Sequence, residues 1–136
     1  MQWTAPLAAL AMLATASLAA AQPSPPPVPR APAGDLARGE SLYQSRCGAC
    51  HSLDANRIGP AHRGVIGRRA ATAPGFHYST ALAARSFVWN ERNLDQWLQN
   101  PTAFVPGTSM GVRVPAAQDR ADIIAYLRAQ RLSAHR

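Results

Sequence analysis

Lysine is absent from this chain. All 14 basic residues are arginine, set against 7 acidic residues, for a formal charge of +7. Cysteine is scarce too: Cys47 and Cys50 are the only two. No sulfur is left over for a disulfide framework. Without a second cysteine pair the chain also lacks the two ligand clusters of a tetrahedral zinc site. Methionine occurs only at Met1, Met12 and Met110. No stretch alternates apolar and polar residues as a half-buried strand does, and no segment repeats. The βαβ setting of a thioredoxin-like dithiol is missing. The apolar run from Leu7 to Ala21 is shorter than the about 20 residues that a bilayer crossing needs. These absences leave an all-α reading with long loops, in a chain long enough for one domain.

What is present is Cys47-Gly48-Ala49-Cys50-His51. Two thiols one helical turn apart, with a histidine directly after, form the C-x-x-C-H attachment site of a c-type haem. At i and i+3 both sulfurs point to one side of the turn. From there each can form a thioether with a haem vinyl group, and His51 is placed beneath the iron as its proximal ligand. A disulfide across so tight a loop would be strained. The iron then needs a second ligand. Beyond the N-terminal apolar run the chain offers one methionine, Met110, following Pro106-Gly107-Thr108-Ser109. His62 is the rival candidate, while His77 and His135 read as surface residues.

Along the chain, residues 1–21 read as a signal peptide: an apolar Ala/Leu core, then Ala19-Ala20-Ala21 before Gln22 as a small-x-small cleavage site. Its first six residues carry no Arg or Lys, and an uncleaved anchor is the rival reading. Residues 22–33 hold six prolines and read as an extended Pro-rich linker. The folded domain is expected over residues 34–136. Asp35 is placed to cap a first helix carrying Leu36, Gly39, Leu42, Tyr43 and Arg46. Ser79 or Thr80 starts a short helix through Ala84. Asn90 caps another, with Leu94, Trp97 and Leu98 on its inner face, and Pro101 stops it. Residues 104–110 read as an irregular loop. A last helix follows Pro115, with Ile123, Ile124, Leu127 and Leu132 at spacings of three or four.

The basic balance suits an acidic partner protein or an anionic surface. Nucleic acid is disfavoured, because the arginines are spread along the chain with no recognition motif beside them. Arg46, Arg57, Arg63, Arg69 and Arg113 are candidates for a docking face around the haem edge.

The chain resembles a class I c-type cytochrome of the mitochondrial and bacterial soluble type, from about Gly39 to Leu127. Gly39-x-x-x-Tyr43 and Ile123-x-x-Tyr126-Leu127 resemble the family's crossing terminal helices. Gly59-Pro60, Gly64-x-x-Gly67-Arg68, Ala73-Pro74-Gly75-Phe76-x-Tyr78, Leu98-x-Asn100-Pro101 and Pro106-Gly107-Thr108-x-Met110 resemble its loops. The resemblance implies a small cytochrome c fold of four to five helices around one haem c bound through Cys47 and Cys50. It implies axial ligands His51 and Met110, with the Pro60 carbonyl accepting the His51 ring N–H. It implies that Arg68, Tyr78, Trp89 and Thr108 satisfy a buried haem propionate, which must be paired or hydrogen-bonded. Four positions depart from the pattern: Trp97 for a tyrosine, Leu82 for an asparagine, His62 for a haem-facing leucine and Val112 for an aromatic residue. The lysine ring that docks mitochondrial partners is missing.

The function expected is therefore an exported, periplasmic electron carrier, a monomer and not an enzyme, exchanging electrons with partner proteins that present acidic docking surfaces. Membrane association would come only through partners or an uncleaved signal. The alternatives are a haem subunit of a dehydrogenase or oxidase complex, and a peroxidase or ligand-binding haem protein with His62 as acid/base.

Overall fold

A computed structural model of the protein describes residues 32–133. The signal peptide, residues 22–31 of the Pro-rich linker, the side chain of Leu132 and His135 lie outside the described residues. Five helices are present among them: α1 (Leu36–Arg46), α2 (Thr80–Ala83), α3 (Glu91–Gln99), α4 (Pro101–Phe104) and α5 (Ala117–Ser133). There is no strand, only an isolated bridge between Arg69 and Val88. The all-α expectation holds.

The starts of α1 to α4 are each set by a side chain that satisfies free backbone N–H groups. Asp35 accepts from the Arg38 N–H at 2.8 Å. Ser79 caps α2 through the Leu82 N–H. Asn90 and Asn93 form a reciprocal box, with bonds of 2.9 and 2.8 Å between side chain and backbone. At Asn100 the structure departs from the sequence reading. Pro101 does stop α3, but Asn100 also accepts from the Ala103 N–H and starts α4, with Pro101 in the first turn. Proline has no N–H to lose at that position, so the residue that ends one helix opens the next.

α1 packs across α5, and α3 and α4 pack beside them. The crossing depends on Gly39. A Cβ there would lie 2.0 Å from the Asp122 carbonyl oxygen of α5, so only glycine allows the two backbones this close. Tyr43, Leu94, Trp97, Leu98, Ile123 and Leu127 are all buried in one core cluster. A large side chain buried this way contributes roughly 2 kcal/mol. Between α1 and α2 the chain runs as a long loop, tied to itself by backbone bonds such as Gly59 N–H to Cys50 O at 2.8 Å and Arg63 N–H to Leu53 O at 2.8 Å.

The crossing also carries a buried carboxylate. Asp122 has no solvent exposure. It accepts from the Asp35 N–H at 2.7 Å, from Gln118 Nε2 at 2.8 Å and from Arg38. Burial raises its pKa, and the three donors more than reverse that, so it sits below the ordinary carboxylate range. A depressed carboxylate stabilises the fold above its unfolded pKa, about 3.9, and loses that contribution as pH falls through the folded value. Asp122→Asn is expected to cost about 1–3 kcal/mol at neutral pH. The gap from the parent should narrow below about pH 4. Thermal unfolding of both proteins against pH checks this, and a gap independent of pH would contradict it.

Candidate functional site

α1 delivers the two thiols. Its last turn continues into Cys47 and Gly48, whose N–H groups both donate to the Tyr43 carbonyl, and the His51 N–H donates to the Cys47 carbonyl. The run from Cys47 to His51 is thereby wound as a turn. No disulfide joins Cys47 to Cys50, so both sulfurs are available for thioethers. Before haem attachment, burial pushes the Cys47 thiol up to about 11, against a smaller opposing pull from Arg46.

Cys47, Cys50 and His51 line one cleft together with Met110. Leu94, Trp97, Leu98, Val114, Ile123 and Leu127 make its apolar floor, supplied by α3, α5 and the loop before α5. His51 is buried, and its Nδ1 lies 2.9 Å from the Pro60 carbonyl oxygen. Since a carbonyl only accepts, that nitrogen carries the proton and Nε2 keeps its lone pair. Burial lowers the His51 pKa, with the Pro60 bond opposing it. A neutral imidazole with one nitrogen committed and the other free is the form that binds iron. Two adjacent thiols, an oriented imidazole, a thioether and an apolar floor are the donor set and lining of a covalently held haem, and the residues fit that group.

Arg68, Tyr78, Trp89 and Thr108 do not line this cleft. The first three are drawn together beside it. The Trp89 N–H donates to the Arg68 carbonyl at 2.9 Å. The Tyr78 hydroxyl accepts from the Ala73 N–H at 3.1 Å. Trp89 is buried against Phe87 and Trp97, with ring centroids 4.7 and 5.4 Å away. The Arg68 guanidinium donates to the carbonyls of Ala61 and Arg63 at 2.8 and 3.3 Å. Burial pulls its pKa down, partly offset by Tyr78. Among the described residues it has no carboxylate partner. The Thr108 N–H donates to the Val105 carbonyl at 3.1 Å.

His62 lines the same cleft, but it stacks on His51, with ring centroids 4.0 Å apart. It thus stands on the face of His51. Two apolar residues stand at the mouth, Val112, already marked by its departure from the family pattern, and Ile58, which carried no signal in the sequence. Ile58 is 78 % exposed and Val112 48 % exposed, and both line the cleft. An apolar residue in a loop gives no periodicity to read, so Ile58 emerges only from the fold. Of the five candidate docking arginines, Arg46 is paired with Asp119 at 3.1 Å and Arg63 with Asp54. Arg57, Arg69 and Arg113 are exposed and have no carboxylate partner among the described residues.

A helical chain that winds C-x-x-C-H onto an apolar cleft beside a methionine is a c-type haem protein by class. The cytochrome c family model matches residues 36–131, and the chain belongs to that family. It is 45 % identical over 98 residues to cytochrome c of Euglena viridis, covering 70 % of this chain and 96 % of that one. It is 48 % identical over 96 residues to the cytochrome c-type cyt cy of Rhodobacter capsulatus, covering 69 % of this chain and 48 % of that longer protein. Cytochrome cH from Methylobacterium extorquens superposes with a TM-score of 0.68 at 39 % identity, covering 71 % of this chain and 99 % of that one. The protein is thus a haem electron carrier, not an enzyme, with one haem c bound through Cys47 and Cys50. Members of the family exchange electrons with redox partner proteins. Among the described residues no helix is long and apolar enough to cross a membrane.

Proposed function

We propose that this chain is an exported, periplasmic electron carrier, monomeric, with His51 and Met110 as the axial ligands of its haem. The observation that carries the reading is the convergence of Cys47, Cys50, His51 and Met110 on one apolar cleft. When bound, the haem supplies a one-electron couple, and the residues around it do the rest. His51 presents Nε2, its tautomer fixed by Pro60. Met110 brings a soft thioether, which favours the ferrous form and raises the potential. The apolar floor keeps water out. Arg68, a half-buried cation satisfied only by carbonyls, is suited to a propionate, with Tyr78, Trp89 and Thr108 completing that carboxylate's surroundings.

Docking is proposed at the cleft mouth. Ile58 and Val112 form an exposed apolar centre there, adjacent in sequence to the unpaired Arg57 and Arg113. That pattern suits a partner with an acidic rim, held briefly and weakened by salt.

The test is an optical spectrum of protein matured in a compartment able to build haem adducts. The reduced form is expected to show a low-spin c-type haem that refuses carbon monoxide, and the ferric form a weak red band of methionine ligation. Ready carbon monoxide binding would remove Met110 as ligand. Sequencing of the exported protein is expected to find Gln22 at its N-terminus, and a retained residue 1 would overturn cleavage.

A further inference from the structure

His51 is held by more than its bond to Pro60. A Cβ at Gly59 would lie 2.1 Å from His51 Cε1, 2.5 Å from Nδ1 and 2.6 Å from Nε2, so the Gly59 backbone lies directly against the ring. The His62 ring stacks on the same imidazole with an interplanar angle of 19°. His62 is in turn fixed: its Nδ1 lies 3.2 Å from the Tyr43 hydroxyl oxygen. Tyr43 belongs to α1 and packs on Tyr126 of α5, with ring centroids 5.3 Å apart. A continuous series of contacts therefore runs from the helix crossing through Tyr43 and His62 to the face of His51. The electron-carrier reading uses neither His62 nor the Tyr43 hydroxyl.

We propose that His62 is a positioning residue that sets the rotation of the His51 imidazole about its bond to the iron. The inference rests on His51 being the iron ligand. The Pro60 bond fixes which nitrogen faces the metal, and with the Gly59 backbone it limits how far the ring can turn; the neighbour stacked on the ring sets the angle that remains. A flat aromatic ring stacked on one face removes the remaining freedom, because rotation of His51 would drive its edge into His62. A branched aliphatic side chain at the same position would touch the ring without presenting a plane. The Tyr43 hydroxyl keeps His62 itself from turning. The stack therefore sets the angle, and the tie to Tyr43 holds it.

The consequence is electronic. In the ferric low-spin haem that these residues would hold, the direction of the half-filled iron orbital would follow the imidazole plane together with the orientation of the second ligand. A fixed plane gives a fixed distribution of spin around the haem edge. It also keeps the ligand still when the oxidation state changes, as orienting partners of a ligand generally do.

The experiment is proton NMR of the ferric holoprotein, reading the paramagnetic shifts of the four haem methyl groups, with the optical spectrum recorded beside it. His62→Leu is expected to change the order of the methyl shifts while the red methionine band persists. His62→Phe keeps the flat face and is expected to retain the parent order. Tyr43→Phe removes only the hydroxyl and is expected to retain the order while displacing the methyl shifts by a smaller amount. An unchanged order in His62→Leu overturns the proposal, as does the same change in His62→Leu and His62→Phe. If His62→Leu yields no folded holoprotein, unmoved methyl shifts in Tyr43→Phe overturn it instead. A parent protein without the red methionine band or low-spin methyl shifts would defeat the ligand reading itself, a distinct failure.

Discussion

Met110→Ala is expected to lower the midpoint potential and to open the reduced protein to carbon monoxide. The thioether is the only soft donor besides the two thiols among the residues that line the cleft. Soft sulfur stabilises ferrous iron relative to ferric iron. Alanine offers no donor, and water or hydroxide, harder ligands, favour the ferric form. The drop should be on the order of 0.1 V or more, within the roughly 0.8 V that axial ligands span. Met110 is half-buried in a loop rather than in a helix, so its truncation should leave the helix packing largely intact. Potentiometric titration with far-ultraviolet circular dichroism separates the two effects. A midpoint within a few millivolts of the parent, with helix content preserved, would remove Met110 as a ligand.

Gly39→Ala is the second large effect, and it falls on folding. The new Cβ would lie 2.0 Å from the Asp122 carbonyl oxygen, 2.6 Å from its carbon and 3.1 Å from Tyr126 Cβ. Two of these atoms are backbone and cannot rotate away, so α1 must lift from α5. That lift would weaken the buried contacts of Tyr43 and Ile123 and the donors that satisfy Asp122. Alanine gains about 1 kcal/mol over glycine in helix propensity. Overpacking of this kind costs about 3 kcal/mol or more, so the clash wins. For a domain of this size the melting temperature should fall by roughly 15 °C. Glu40→Ala, one residue further and exposed, should move it by only a few degrees. A Gly39→Ala protein melting with the parent would mean that the crossing is looser than it is drawn here.

Much of this was legible before any coordinates. Asp35, Ser79 and Asn90 announce helix starts because capping is local chemistry, settled within three residues. The inner face of α3 was readable because Leu94, Trp97 and Leu98 follow a helical period. Cys47, Cys50 and His51 were readable because covalent attachment demands a fixed spacing. Pro101 was read only as the stop of α3, since a proline that ends one helix and opens the next looks the same in a string. His62 was read as a rival ligand or a histidine packed nearby, and its stack on His51 was not legible. A loop histidine one residue past Ala61 has no period and no cap, and its partners, Tyr43 and His51, are 19 and 11 residues away. Arg46 and Arg63 looked like free docking cations, and only the fold brings Asp119 and Asp54 to them.

The sequence by itself determined the helical class, the helix starts at Asp35, Ser79 and Asn90, the haem-attachment turn and the scarcity that leaves Met110 as the one methionine of the domain. All of these follow from interactions within a few residues, or from composition. The tertiary structure decided which side chains share the cleft, which arginines remain unpaired, that Ile58 and Val112 stand at the mouth, and that His62 lies on the face of His51. Those facts depend on segments distant in the chain meeting at the crossing of α1 and α5. That crossing is governed by packing between backbones, which no local pattern records.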